Sequence, residues 1–252
     1  MLHITVLIEN ESNCSLHAEH GLSLFLRRGD DTLLLDAGTS GIFVENAAAL
    51  GCPLKAVHIA ALSHGHFDHS DGFPALFELN DCVKIHARTA VFEPQYGADG
   101  RYIGLADCLK TQFAERFVLS DEQREILPGI WLVPDALDHE QSLVAETDCG
   151  LVVMNSCCHA GADNIVADVL RRFPGKNVFA LIGGLHLMGP GGTSTLGMSA
   201  DTIRAMAHRL TGELGVKRIY TGHCTGTPGY ALLQETVPEC IYPLHTGDIL
   251  EF

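Results

Sequence analysis

The chain has 252 residues, 46% hydrophobic and 19% charged, a globular composition with ample material for an α/β core and nothing of a disordered chain. Its formal net charge is −15 and no lysine or arginine run interrupts it, which argues against a nucleic-acid backbone held by charge alone. Nine cysteines at irregular spacing, an odd number with no CxxC pair, read as reduced thiols of a cytoplasmic protein and not as a disulfide framework.

In chain order, Met1–Glu9 lacks a basic segment and reads as a first strand over Ile4–Ile8, not as a signal peptide. No apolar run nears the ~18 residues of a membrane span, so no membrane partner is expected. Ser23–Leu26 and Thr32–Leu35 are further β-type runs, with Arg28-Gly29-Asp30-Asp31 as a hairpin turn. A helix is expected from Ile42 to Leu50, stopped by Gly51, then a buried strand over Val57–Leu62. A helix from Asp71 to Leu79 and a strand over Val83–His86 follow. Residues from about 93 to 128 are polar and weakly periodic, and read as a lid or insertion, or as an ordinary surface excursion, within one domain spanning 1–252.

Strands resume at Ile130–Val133, Leu143–Glu146 and Leu151–Asn155. A repeated α/β pattern comes next: helix Ala162–Phe173, strand Val178–Ile182, helix Ser199–Leu214 with Ser199 as N-cap, and strand Lys217–Thr221. A short helix over Gly229–Thr236 and a strand over Ile249–Phe252 close the chain. Both halves run from strands into β-α units. That order suits two sheets packed face to face with helices outside each, an αββα four-layer sandwich.

The most informative stretch is Leu62-Ser63-His64-Gly65-His66-Phe67-Asp68-His69. Imidazole and carboxylate are the donors that Zn, Mn and Fe prefer. At the end of a strand His64 and His66, two apart, can point the same way, while Asp68 and His69 on the turn beyond can face a second ion. Three later strands also end in histidine, at His159, His186 and His223, among small residues. In α/β sheets ligands gather beyond the carboxyl ends of strands, so these ends suggest one convergent site. Cys157 shares a side with His159 and could bind or bridge metal, or be a small buried hydrophobe. His139 or Glu140 could complete a shell, and His20 and His245 could support one.

These residues resemble the metallo-β-lactamase superfamily, whose signature is a strand followed by His-x-His-x-Asp-His, matched by Leu62–His69; Asp36-Ala37-Gly38 looks like its preceding Asp-x-Gly. The fold of that family is the αββα sandwich expected from element order. More narrowly, Ser156-Cys157-Cys158-His159-Ala160-Gly161, Gly183-Gly184-Leu185-His186-Leu187, His223-Cys224-Thr225-Gly226 and Glu19-His20-Gly21-Leu22-Ser23 are similar to motifs of the branch of dihydropterin-type ribofuranosylaminobenzene phosphate synthases. Two features depart from the superfamily pattern. Ser156-Cys157 stands where a Gly-Asp turn commonly supplies a bridging aspartate, and the usual histidine before that strand is not evident.

The resemblance implies a metal-dependent hydrolase with two divalent ions, Zn first and Mn or Fe as alternatives. One ion would be held by His64, His66 and His159, the other by Asp68, His69 and His223, around a shared water. Asp68 would also accept a proton, and His186 would donate one to the leaving group or touch the substrate. The substrate expected is a small anionic molecule, a phosphate ester or cyclic phosphate that is pterin-related if the branch holds, with a lactone or other ester as runner-up. A non-enzymatic metal or metabolite-binding protein and a redox di-iron protein are the competing classes. The Gly-rich segment 189–197 could cradle a phosphate with its backbone N–H groups, though a surface loop is favoured slightly, and homo-oligomerisation stays open.

Overall fold

The first apolar run forms strand β1 (Leu2–Ile8), all of it buried except His3 and so covered on both faces. In the computed structural model, which describes residues 1–252, the chain divides into two units, Met1–Glu122 with His245–Phe252, and Gln123–Leu244. The first unit continues through β2 (Ser23–Arg28), β3 (Asp31–Leu35), helix α1 (Phe43–Ala49) and β4 (Ile59–Ala61). Next come α2 (Phe67–Ser70), α3 (Phe73–Leu79), β5 (Ile85–Ala87), α4 (Asp107–Thr111) and β6 (Phe117–Leu119). Gly29, at φ +60, makes the β2–β3 turn that its sequence foretells.

The second unit holds β7 (Arg124–Leu127), β8 (Ile130–Pro134), β9 (Gln141–Thr147), β10 (Gly150–Met154), α5 (Ala162–Arg172) and β11 (Val178–Ile182). The hairpin β12 (Met188–Gly189) and β13 (Gly192–Leu196) precedes α6 (Ala200–His208), β14 (Arg218–Thr221), α7 (Thr227–Thr236) and β15 (Ile241–Pro243). A last strand, β16 (Ile249–Glu251), pairs with β1.

Each unit is built on a seven-stranded sheet, ordered β16-β1-β2-β3-β4-β5-β6 in the first and β15-β14-β11-β10-β9-β8-β7 in the second. The two sheets share a plan. Antiparallel pairing runs up to one pivot strand, β3 or β10, and parallel pairing runs beyond it. Parallel neighbours aim their carboxyl ends the same way, so everything after β3, β4, β10, β11 and β14 collects at one edge of its own sheet. Mixed sheets flanked by helices in both units match the α/β sandwich that element order predicts.

Helix faces explain the helices. In α5 the buried residues Ala162, Ile165, Val166 and Val169 recur at i, i+3, i+4 and i+7, which fits one face laid on the core. Burying each of its branched side chains is worth about 1.5–3 kcal/mol against leaving it in water. Ser199 caps α6, its hydroxyl accepting from Thr202 N at 3.2 Å, as expected. The helix loosens into a π-turn over Arg209–Glu213 before Gly215 ends it at φ +72.

The segment from about 93 to 128 does more than cover a surface. It carries α4 and supplies an edge strand to each sheet, β6 and β7. Edge strands are half-exposed and have one neighbour, so their sequence shows little alternation. The Gly-rich segment is the hairpin β12–β13, with residues 193–196 exposed. β15 escapes a sequence reading because it is a three-residue edge strand ending in Pro243.

One glycine after β11 has no substitute. Gly183 has φ +133, and a Cβ there would lie 1.9 Å from the Asn155 carbonyl oxygen, a backbone atom that cannot step aside. Gly183→Ala should therefore destabilise the protein by about 1–3 kcal/mol or more, read as a lower urea midpoint; an unchanged midpoint would mean that the exit of β11 is not so confined.

Candidate metal centre

In the first unit the donors stand at the ends of β3 and β4. Asp36 follows Leu33-Leu34-Leu35, is fully buried and takes φ +58, a conformation a non-glycine residue holds only when its surroundings over-determine it. Its Oδ1 accepts from Ser63 N at 2.7 Å, and its Oδ2 accepts from Ser63 Oγ at 2.7 Å. The same Oδ2 lies 2.8 Å from His69 Nδ1, which must donate to it. Ser63 spends its one proton on Asp36, so at 2.9 Å it accepts from His64 Nδ1. One carboxylate thus sets two histidines: His64 indirectly, through Ser63, and His69 by direct contact. Both rings are protonated at Nδ1 and keep an Nε2 lone pair, the arrangement common to histidines that bind metal.

His64 Nε2 lies 3.0 Å from His66 Nδ1, so these two rings face one point as their spacing predicts. Asp68 and His69 fall on the helical turn α2, with Asp68 Oδ2 3.7 Å from His69 Nε2 and 3.1 Å from His20 Nε2. His20 therefore supports Asp68. The loop is tied down by Phe67, whose N–H donates to Ile103 O at 2.9 Å, and the Arg101 guanidinium lies over the Phe67 ring at 5.8 Å.

In the second unit the chain leaves β10 through Asn155, Ser156, Cys157, Cys158 and His159. A Glu140 carboxylate oxygen, Cys157 Sγ and a His159 ring nitrogen all lie within 4.8 Å of one another, and a His223 nitrogen lies within 4.8 Å of the same sulfur. The His159 and His223 nitrogens and the Cys157 sulfur are donors of the kind a divalent ion takes. His159 is flanked by two other rings, His139 at 5.0 Å and His186 at 4.2 Å between centroids. His139 Nδ1 pairs with Asp138, and His245 with Asp248 at 3.6 Å.

The later strand ends carry His186 (φ +50) and His223 (φ +48), again in the left-handed region. Thr225 Oγ1 accepts from Leu185 N at 2.9 Å and joins the β11 exit to the β14 exit. Cys224 Sγ accepts from His186 N at 3.3 Å. Burial would push the Cys224 thiol up, but hydrogen bonds from Cys157 and His186 and the nearby imidazoles hold it well below its usual range. Beside it the His186 imidazole is raised, chiefly by Cys224 and against the effect of burial. Cys158 goes the other way: burial, then Glu140, raises it far above a free thiol, so it is a neutral packing group.

Every histidine above is singled out in the sequence, and Asp36, Ser63, Cys224 and Thr225 stand in the motifs quoted for the family resemblance, but their hydrogen bonds to the donors have no spacing signal. Asn155 stands in none of those motifs, and its one signal is a polar residue directly after an apolar strand.

The family model described as the metallo-beta-lactamase superfamily matches residues 18–150. Over 281 aligned residues, 95% of this chain and 92% of the other, the sequence is 27% identical to 7,8-dihydropterin-6-methyl-4-(beta-D-ribofuranosyl)-aminobenzene-5'-phosphate synthase of Methanocaldococcus jannaschii. Among solved structures, Tm1679, described as a metal-dependent hydrolase of the beta-lactamase superfamily, is similar at a TM-score of 0.83 and 25% identity, over 100% of this chain and 99% of that one. The metallo-beta-lactamase fold protein YhfI from Bacillus subtilis shares the fold at a TM-score of 0.65 and 16% identity, over 100% and 99% of the two chains.

Proposed function

This chain belongs to the metallo-beta-lactamase superfamily, and we propose that it is a hydrolase dependent on two divalent metal ions, acting on a small phosphate ester or cyclic phosphate. The residues that would hold metal are His64, His66, Asp68 and His69 in the first unit and His159 and His223 in the second, with zinc the first choice of metal. The observation that carries the reading is the Asp36–Ser63 network, which leaves Nε2 of both His64 and His69 as a lone-pair donor. Two buried imidazoles set in that one tautomer present the nitrogen lone pairs that a divalent cation takes.

Divalent ions held by these residues would supply polarisation of a phosphoryl oxygen and a bound water acidic enough to attack at neutral pH. The chain's own groups do the rest. Asp68 orients the attacking water and accepts its proton, and His20 keeps that carboxylate in place. His186, held by its backbone bond to Cys224, delivers a proton to the leaving oxygen. Arg101, a cation over Phe67 between His66 and Asp68, favours an anionic substrate in a chain of net charge −15.

The substrate class also draws on the relative in Methanocaldococcus jannaschii, whose name is that of a synthase of a pterin carrying a ribofuranosyl 5'-phosphate. That name favours one second reading, in which the amine of a ribofuranosyl-aminobenzene 5'-phosphate displaces a leaving group from the 6-methyl carbon of a dihydropterin and gives up its proton as the new C–N bond forms. Protein loaded with Zn, Mn or Fe should turn over phosphodiesters and cyclic phosphates faster than lactones or thioesters. Silence on the whole panel would overturn the hydrolase reading, and product formation only from a pterin plus a ribosyl phosphate would replace it with the synthase.

A further inference from the structure

We propose that Glu140 is a positioning residue that sets the loop carrying Cys157 and His159 by accepting its backbone N–H groups, and is not itself a metal ligand. Glu140 stands directly before β9, fully buried, beside the exit of the neighbouring strand β10. Oε1 accepts from Cys157 N at 2.9 Å and Oε2 from His159 N at 2.8 Å. Between them Cys158 takes φ +53 and gives its own N–H to Asn155 Oδ1 at 2.6 Å. A left-handed residue at that point turns the N–H groups on either side towards one concavity, the geometry by which backbone cradles an anion. Here the anion is supplied by the protein.

The arrangement accounts for several features together. A buried carboxylate is tolerated because both of its oxygens receive donors. Cys158 stays in an unfavourable conformation because three successive amides are each claimed, by Glu140, Asn155 and Glu140. The side chains of Cys157 and His159 are then fixed at their Cα atoms before any ion arrives, which is the preorganisation a binding site needs. In the first unit Asp36, at the exit of β3, also accepts one backbone N–H, that of Ser63 after β4, while its other oxygen serves the Ser63 hydroxyl and His69 Nδ1.

The inference rests on the proposed metal centre for its metal readout, and on nothing but the fold for its backbone readout. In metal-free Glu140→Ala, exchange protection of the Cys157 and His159 amides should fall about tenfold or more relative to wild type. Affinity for Co(II) should drop about 10–100-fold, the usual loss when a group supporting a ligand is removed. The number of Co(II) ions bound at saturation and their visible spectrum should stay as in wild type. Should the alanine variant not fold, Glu140→Gln keeps one acceptor and turns an NH2 towards the other amide, so one of the two amides loses protection. Unchanged protection of both amides would overturn the proposal. Loss of an ion or an altered cobalt spectrum at saturation would overturn it too, by making Glu140 a ligand. Failure of the wild type to bind cobalt would sink the metal centre, while the amides would still decide the role of Glu140.

Discussion

His69→Ala should release one metal ion per chain and lower hydrolysis by more than the about 10–100-fold that loss of a merely supporting group costs. His69 is fully buried, and its direct bond from Nδ1 to the Asp36 carboxylate leaves Nε2 as the ring nitrogen that can act as donor. Alanine removes that donor and also strands one lone pair of Asp36, which adds about 1–3 kcal/mol of lost stability in the metal-free protein. Metal analysis after gel filtration reads the first effect, and urea unfolding of the metal-free form reads the second. Asp68, 3.7 Å from His69 Nε2, should remain paired with His20, so no wider collapse is expected. Full metal occupancy in the variant would show that the ligands have been assigned wrongly.

The parts of this centre that were legible in the sequence and the parts that were not differ for a physical reason. His64, His66, Asp68 and His69 announce themselves because one loop holds them all, and donor spacing along a strand or turn is a local property. The long helices are equally local, since the buried positions of α5 and α6 recur every three or four residues. Asp36 is different. It acts on Ser63, 27 residues later, and on His69, 33 residues later, and only the parallel pairing of β3 with β4 brings them together. Glu140 meets His159 by the antiparallel register of β9 and β10. The left-handed residues Asp36, Cys158, His186 and His223 carry no compositional sign either, since a glycine would have been the expected marker. The strands missed in the sequence, β6, β7, β12, β13 and β15, lie at sheet edges or in a small exposed hairpin, where a single neighbour imposes no alternation. What the sequence conceals is therefore the set of long-range hydrogen bonds that orient the donors.

The most telling of those bonds can be tested by changing one atom. In Asp36→Asn, Oδ1 can still accept from Ser63 N, so the backbone of the loop is kept. The new Nδ2 now faces Ser63 Oγ and His69 Nδ1 and donates where the carboxylate accepted. Ser63 must then turn its proton towards His64 Nδ1, and His69 Nδ1 must accept. Both rings are driven to the opposite tautomer, which places a proton on each Nε2 that should hold metal. The expected result is a metal affinity lowered by about 10–100-fold or more, with metal-free stability close to wild type. Asp36→Ala should behave otherwise. It leaves the Ser63 amide, the Ser63 hydroxyl and His69 Nδ1–H unsatisfied, at about 1–3 kcal/mol for each buried donor, so metal-free stability falls together with affinity. Nitrogen-15 shifts of the His64 and His69 rings would report the tautomers directly. If the asparagine variant bound metal as wild type does, with both rings still protonated at Nδ1, the carboxylate would not be what prepares these histidines.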